Sequence, residues 1–355
     1  MRKTEAYWLE KYNRWQINVY RYGERRAFYS SVPGKVGKHE AEAKADKWLK
    51  TFETSQKVHD ALDMWLEDKA QKVGETTQYS VAGMANKWLR KLSNRPLASL
   101  SVYELQKLLD EAATTCAKST VAHIASLITE WLKYCRLRRW ETPDVREGDL
   151  VVTGKATRAR RAANSDELDA LMRADPEADG WYAYAFKLAV LTGLRKGELL
   201  GLQWQDVDFA KSQITVARAI NKFNDVTSGK TANALRVIPL QHAAVETLNA
   251  QKRMLQGAGI HGLIVFPTDL GLQTKTANFD YAWTKFANTH NIAITLHELR
   301  HTFISICKSE MPEALLKQVV GHSVQMDTYK TYGHAVDGDN QKIIDFMDDS
   351  FGKTR

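Results

Sequence analysis

Leu296-His297-Glu298-Leu299-Arg300-His301-Thr302-Phe303, with Val320-Gly321-His322-Ser323 and Thr331-Tyr332-Gly333-His334 close behind it, is the stretch on which this chain turns. Two readings compete for it. His297 to His301 spells H-E-x-x-H, the helix that presents two imidazoles to a zinc ion. Alternatively, Arg300 grips a phosphate and Tyr332 supplies a nucleophile. The zinc reading needs a third ligand and an open coordination position. The extended form of that motif would place a glycine and a histidine where the chain has Ile304 and Cys307. Glu310 and Glu313 lie very close to the motif with no supporting pattern, and Arg300 would set a permanent cation beside the ion. The phosphate reading is favoured.

Working outward, 355 residues exceed one ordinary core, and two or three domains are expected. With 44% hydrophobic residues, 26% charged and 7 prolines, the composition is that of a globular chain. No apolar run of about 18 residues occurs, so no membrane span is expected. Met1 to Ala6 has no apolar signal core, so a cytoplasmic protein is expected. Cys116, Cys135 and Cys307 are too scattered for a disulfide framework or a cysteine zinc knuckle. A net charge of +8 and a pI near 9.2 suggest a polyanionic partner. Residues 1–55 hold 12 Lys/Arg against 7 Asp/Glu, so much of the excess sits there.

That basic region reads as strands followed by a helix. Tyr7 to Tyr12, Arg14 to Tyr20 and Ala27 to Val32 are rich in aromatic and β-branched residues, broken by Gly23 and Pro33-Gly34. Lys38 to Lys50 follows with Ala41, Ala45, Trp48 and Leu49 on one helical face. A small sheet carrying Arg14, Arg21, Arg25 and Arg26 suits a DNA groove, although a basic sheet without that role has the same composition. From residue 56 to about 150 the pattern is helical. Ser101-x-x-Glu104 is a capping box, and Ser119 is expected to open a helix with Val121, Ile124, Ile128, Trp131 and Cys135 inward. Its basic end, Lys133 to Trp140, suits either a helix C-terminus or phosphates. Gly154 to Arg161 has no apolar periodicity and four cations, Lys155, Arg158, Arg160 and Arg161. It reads as a linker able to follow a DNA backbone.

Residues 162–355 read as a mostly helical domain with a strand interlude. Trp181 to Leu191 is a buried helix, and Thr192-Gly193-Leu194-Arg195-Lys196-Gly197-Glu198-Leu199 leads into another that ends near Trp204. Ile214 to Val216 and Leu235 to Leu240 are strands joined by a polar loop, Asn224 to Asn233. Helices return at Ala243 to Leu255, Ala277 to Ala287, the His297 stretch and after Pro312. Phosphoryl transfer needs cations on the non-bridging oxygens, an in-line nucleophile and an acid for the leaving oxygen. Arg195 and Arg300 suit the first task, because a planar guanidinium grips two phosphate oxygens and stays charged.

Taken in order, these boxes resemble the tyrosine recombinase (phage integrase) family. The Thr192 to Leu199 run is similar to its first arginine box, Leu296 to Phe303 to its H-x-x-R box, and Gly321-His322-Ser323 with Thr331-Tyr332-Gly333-His334 to its last histidine and nucleophile. Lys230-Thr231, upstream of Arg236-Val237-Ile238-Pro239-Leu240, resembles the family's catalytic lysine on a β-hairpin. The resemblance extends to the whole layout and looks most like arm-binding integrases of conjugative transposons and temperate phages. It implies a mainly α fold with small β elements. The expected parts are an arm-site DNA-binding domain at 1–55 (small sheet plus helix), a helical core-binding domain at 56–153, a basic linker at 154–161 and a catalytic domain at 162–355 with a small antiparallel sheet.

The resemblance also implies roles. Arg195 and Arg300 hold the scissile phosphate, His297 and His322 bond to it or shuttle protons, Lys230 protonates the departing 5′ oxygen, and Tyr332 forms a 3′-phosphotyrosine. Glu198 and His301 are support residues, and no metal, ATP or other cofactor is implied. Tyr329 is the other candidate nucleophile; the spacing of ten from His322, with Gly333-His334 following, favours Tyr332. The implied activity is site-specific recombination of a mobile element in the bacterial cytoplasm, at the nucleoid. The implied partners are double-stranded DNA at core and arm sites, other copies in a tetramer, a directionality factor and a host DNA-bending protein. A type IB topoisomerase shares the chemistry, and a catalytically silent DNA-binding accessory protein would share only the architecture. The amphipathic tail Gln341 to Met347 suits packing on its own domain or, by the resemblance, docking on a neighbouring protomer.

Overall fold

The computed structural model describes residues 5–21, 24–146, 148–228, 235–321 and 339–352. The fold is mainly α with small antiparallel sheets. Two compact units divide between residues 158 and 159, and each is described by itself. Among the described residues no helix is long and apolar enough to cross a membrane.

The first unit opens with a three-stranded antiparallel sheet, β1 (Tyr7–Leu9), β2 (Arg14–Arg21) and β3 (Glu24–Ser30), in that spatial order. The expected first strand is cut short. Glu10–Tyr12 is a 3-10 turn, and Asn13 takes a left-handed conformation (φ 47°) that turns the chain into β2. Asn tolerates that region better than most residues. Helix α1 (Gly34–Thr54) starts directly after Pro33 and covers one face of the sheet. Ile17 and Val19 from β2 pack there with Ala41, Ala45 and Leu49, the face the spacing predicted.

Strand alternation sorts the four arginines. Trp15, Ile17, Val19 and Arg21 share the helix-covered face, and Arg26 joins them because it pairs with Val19. Its guanidinium lies over the Phe28 and Trp48 rings. Arg14 and Arg25 fall on the open face, opposite Leu9 and Tyr20 respectively. Arg14 lies over the Tyr12 and Tyr29 rings, at 5.0 and 4.5 Å, and Arg25 lies over Tyr20.

Among the described residues of this unit four further α-helices follow: α2 (Val58–Ala70), α3 (Glu75–Lys87), α4 (Val102–Thr115) and α5 (Lys118–Leu137). Their inward stripes, including Leu62, Trp65, Val81, Leu105, Leu109, Ile128 and Trp131, form one core. The capping box at α4 is present, with the Glu104 N–H donating to Ser101 Oγ and the Ser101 N–H to Glu104 Oε2. The expected opening of α5 at Ser119 is corrected. The helix begins at Lys118 after an extended Ala117 with no side-chain cap. The extended backbone at Lys155 serves in its place: the Lys118 N–H donates to the Lys155 carbonyl at 3.1 Å, and the Lys155 N–H to the Cys116 carbonyl. At the basic end of α5, Arg138 is engaged by Asp68 at 2.8 Å and lies over Tyr134.

The second unit is built on α8 (Ala183–Thr192), which follows α6 (Ser165–Arg173) and α7 (Pro176–Asp179). A helix apolar on every side must be surrounded. Phe186 accordingly meets the rings of Phe279, Trp283 and Phe286 at 5.2–5.3 Å between centroids. Helix α9 (Lys196–Leu200) is much shorter than the sequence suggested, and Trp204–Asp206 is a separate 3-10 turn. Strands β4 (Val207–Asp208), β5 (Gln213–Val216) and β8 (Arg236–Pro239) form one antiparallel sheet in the order β4-β5-β8. Between β5 and β8, where a polar loop was expected, lies a second hairpin, β6 (Arg218–Ile220) and β7 (Val226–Ser228), packed on α9.

Helices α10 (His242–Gly257), α11 (Thr276–Thr289), α12 (Leu296–Cys307), α13 (Glu313–Val320) and α14 (Asp339–Gly352) follow. Helix α14 packs on α12, α10 and β8 of its own chain, burying Ile343, Met347 and Phe351. Asp348 fixes it by accepting from the His242 N–H at 3.0 Å and pairing with the His242 ring, which raises the imidazole pKa.

Candidate active site

Helix α12 is set by a capping box. Thr295 accepts from the Glu298 N–H, and the Thr295 N–H donates to Glu298 Oε2 at 2.7 Å. The other oxygen of Glu298 accepts from the Arg161 N–H at 3.2 Å. The glutamate of H-E-x-x-H therefore anchors helix and chain entry, and is not presented as a general base. His297 and His301 stand edge to face with ring centroids 5.1 Å apart, and Arg160 approaches the Nε2 of His301 at 3.4 Å.

Arg300 is the pivot. It is only 4% exposed, and its guanidinium donates to two backbone carbonyls, Gly193 at 2.7 Å and Val320. Both lie at helix C-termini, of α8 and α13, where unpaired carbonyls and the helix dipole favour a cation. Each helix ends in a left-handed glycine, Gly193 (φ 65°) and Gly321 (φ 66°). Gly193 also lies so close to Phe303 that a Cβ there would sit 2.5 Å from its ring. One guanidinium on α12 thus ties together the turn before Arg195 and the turn before His322. Burial, with the neighbouring Arg195 charge, brings the Arg300 pKa down to about 10, which leaves it protonated at neutral pH.

Arg195 precedes α9 and its side chain is 43% exposed. Glu198 accepts from its backbone N–H at 2.9 Å and from Nη1 at 2.8 Å. Arg195, Lys196, His297 and Arg300 line one cleft of about 570 Å³, with Trp283, Ile292 and Ile294 on its apolar wall. Lys196 is held by Asp280 at 2.8 Å. Burial lowers the His297 pKa, and His301, Arg160, Arg300 and Arg195 lower it further. A neutral imidazole, with one donor and one acceptor, is the form this site favours at neutral pH.

Arg195, His297 and Arg300 therefore converge, with Glu198 beneath Arg195 and His301 one turn along the helix. Lys230, His322, Tyr332 and the alternative Tyr329 lie outside the described residues. Of the linker cations, Lys155 and Arg158 are exposed, and Arg160 turns to His301. Arg161 makes a two-pronged bond to Glu167, at 2.5 and 2.7 Å. That bond comes first among the causes of a Glu167 pKa of about 2; burial opposes it, and the Ala293 and Asn164 N–H groups assist.

Sequence reasoning misses Arg236, which the pattern marks only as part of a strand. It donates from both terminal nitrogens to Glu198, at 3.0 and 2.8 Å, and from Nε to the Val319 carbonyl at 2.9 Å. Nothing local marks this role, because its partner is 38 residues away.

A cleft lined by two arginines and a neutral histidine, with a carboxylate orienting one of the arginines, has the makings of a phosphodiester site. The chain belongs to the phage integrase family, whose model matches residues 161–338. Over 190 residues it is 27% identical to a tyrosine recombinase XerC-like protein of Caldanaerobacter subterraneus, covering 47% of this chain and 49% of that protein. It is 26% identical over 176 residues to the ICEBs1 integrase of Bacillus subtilis, covering 46% and 48%. The chain thus spans about half the length of these curated relatives. In fold it resembles the Tn1549 transposon integrase solved with circular intermediate DNA (TM-score 0.65, 16% identity, 82% of this chain and 99% of that one). It also resembles a lambda integrase tetramer bound to a Holliday junction (TM-score 0.63, 16% identity, 91% and 97%).

Proposed function

We propose that this protein is a site-specific DNA recombinase of a mobile element, cutting and rejoining strands through a 3′-phosphotyrosyl intermediate. The observation that carries the reading is the convergence of Arg195, His297 and Arg300 on one cleft. Two guanidiniums there neutralise the non-bridging oxygens as charge builds in the transition state. His297 donates a hydrogen bond to the same phosphate. The Tyr332 oxygen attacks phosphorus as the bond to the 5′ oxygen breaks, and Lys230 gives that oxygen its proton. The phosphodiester energy is kept in the new phosphotyrosine, so the freed 5′ hydroxyl of another strand can reverse the step without ATP.

The test is a nicked duplex carrying the element's own end, in which the leaving fragment diffuses away. The wild-type protein is expected to form a stoichiometric, denaturant-resistant adduct on the 3′ side of the break. No adduct on any footprinted site would refute the reading. A topoisomerase-like enzyme would relax a single duplex without exchanging strands, and a silent accessory protein would bind without an adduct.

The partners follow from the same reading: DNA at core and arm sites, a tetramer of this chain during exchange, and accessory directionality and bending proteins. For arm sites the open face of the N-terminal sheet is the reading surface. There Arg14 donates to Gln16 at 2.9 Å, Gln16 to Asn18 at 3.2 Å and Asn18 to the Tyr7 hydroxyl at 2.8 Å. The half-buried Asn18 amide, held in place by the buried Gln16 behind it, suits an adenine edge in a major groove. Asn18→Ala is expected to weaken arm-site binding about tenfold, from the ~1–3 kcal/mol of one base contact, and to spare core cleavage. Gel-shift titrations on separate arm and core duplexes check this; equal loss on both would count against a modular arm reader.

A further inference from the structure

We infer that Arg236 is a positioning residue for Arg195: by neutralising Glu198 from behind, it leaves the Arg195 charge free to act on the phosphate. This deepens the recombinase reading and rests on it.

The argument is one of charge and geometry. Glu198 is 7% exposed and touches two guanidiniums, Arg195 at its exposed front and Arg236 at its buried back. Were Arg195 its only partner, the two would form a neutral pair, and a phosphate entering the cleft would compete with a carboxylate for the same cation. Arg236 adds a second positive charge whose bonds among the described residues are internal: two to Glu198 and one to the Val319 carbonyl. The Glu198–Arg236 pair then sums to zero, and Arg195 keeps its full charge with a fixed direction. Burial pushes the Glu198 pKa up, but Arg236 and Arg195 overcome it and hold it at about 2, so the carboxylate stays an orienting acceptor.

Position adds a second link. The Val319 carbonyl gripped by Arg236 and the Val320 carbonyl gripped by Arg300 are consecutive, immediately before Gly321-His322. The same arginine that supports the first box thus braces the turn leading to the last histidine.

The experiment compares wild type, Arg236→Met, Arg236→Lys, Glu198→Gln and the double variant Arg236→Met/Glu198→Gln. It measures single-turnover adduct formation on the nicked duplex, DNA affinity and thermal melts. Arg236→Met strands a buried carboxylate against Arg195, and adduct formation should fall at least 100-fold while DNA affinity moves less than threefold. Arg236→Lys keeps the charge without the fork and should lose about tenfold. The double variant removes the uncompensated carboxylate and should recover at least tenfold over Arg236→Met. A merely structural arginine would give no such rescue, and its absence overturns the inference.

If Arg236→Met does not fold, the comparison moves to the Glu198→Gln background. There adding Arg236→Met should cost less than threefold, and a loss above tenfold in a folded protein overturns the inference. Binding of inorganic pyrophosphate by calorimetry separates the two layers. Should the wild type form no adduct, a weakening of pyrophosphate binding in Arg236→Met that Glu198→Gln reverses would still support the charge arrangement. Unchanged pyrophosphate binding in that case would refute it as well.

Discussion

Arg300→Ala is expected to reduce adduct formation by about 10³-fold or more and to destabilise the second unit as well. The catalytic part follows from removing a preorganised donor from the developing charge, a change that costs roughly 10²–10³ by itself. The structural part follows from the two carbonyls it serves. Gly193 and Val320 end α8 and α13, both are buried, and without the guanidinium each carbonyl loses that donor. An unmet buried acceptor costs about 1–3 kcal/mol, enough to move a thermal melt by several degrees. Arg300→Lys separates the two effects. An ammonium retains the charge but, as a compact point charge, cannot reach two carbonyls and a phosphate in the planar arrangement of a guanidinium. Its melt should fall between wild type and Arg300→Ala, while adduct formation stays at least 100-fold down. Cleavage at the wild-type rate by Arg300→Lys would show that this residue holds the fold and does not touch the phosphate.

The same residue shows which parts of the candidate site the sequence marks: Arg195 and Arg300 by their chemistry, His297 and Glu198 by the family resemblance. Gly193, Arg195, Glu198, His297 and Arg300 sit in short runs with fixed local geometry: a glycine in left-handed backbone, a capping box, a histidine and an arginine three apart on a helix. Such features survive in one dimension because the physics behind them is local. The burial of α8 was legible from its nearly continuous apolar run, and the inward face of α1 from its periodicity.

What was not legible depends on contacts across the chain. Arg236 reads as an ordinary strand cation until β8 brings it behind Glu198. The expected loop, Asn224 to Asn233, covers β7 but not β6, because strands of three residues around a polar turn, Asn221 to Asp225, carry no period of their own. Ser119 looks like a helix cap because the backbone that does the work, at Lys155, lies 37 residues beyond Lys118. Arg161 sits in sequence among the linker cations, yet a buried glutamate six residues later engages it. Arg21 and Arg26 differ from Arg14 and Arg25 in the face they occupy. Alternation along β2 and the hairpin register would have put both on the helix side, away from the face that carries Arg14 and Arg25.

Tyr332→Phe is expected to abolish the covalent adduct entirely while leaving DNA affinity within about threefold of wild type. Phenylalanine keeps the ring and removes the one atom that bonds to phosphorus, so no slower version of the same reaction remains. Arg195, His297 and Arg300 still hold the phosphate, which is why binding should be nearly untouched. Tyr329→Phe is the control, because the two phenols stand three residues apart in sequence. It should form the adduct at no less than a tenth of the wild-type rate. An adduct that survives Tyr332→Phe and disappears in Tyr329→Phe would move the nucleophile. The leaving group offers an independent handle on the same chemistry. A substrate with sulfur in place of the bridging 5′ oxygen departs as a thiolate, which needs no proton. On that substrate Lys230→Ala should recover most of its lost rate, because the acid is no longer required, whereas Tyr332→Phe should remain silent. Rescue of both variants, or of neither, would mean that nucleophile and acid have been assigned to the wrong side chains.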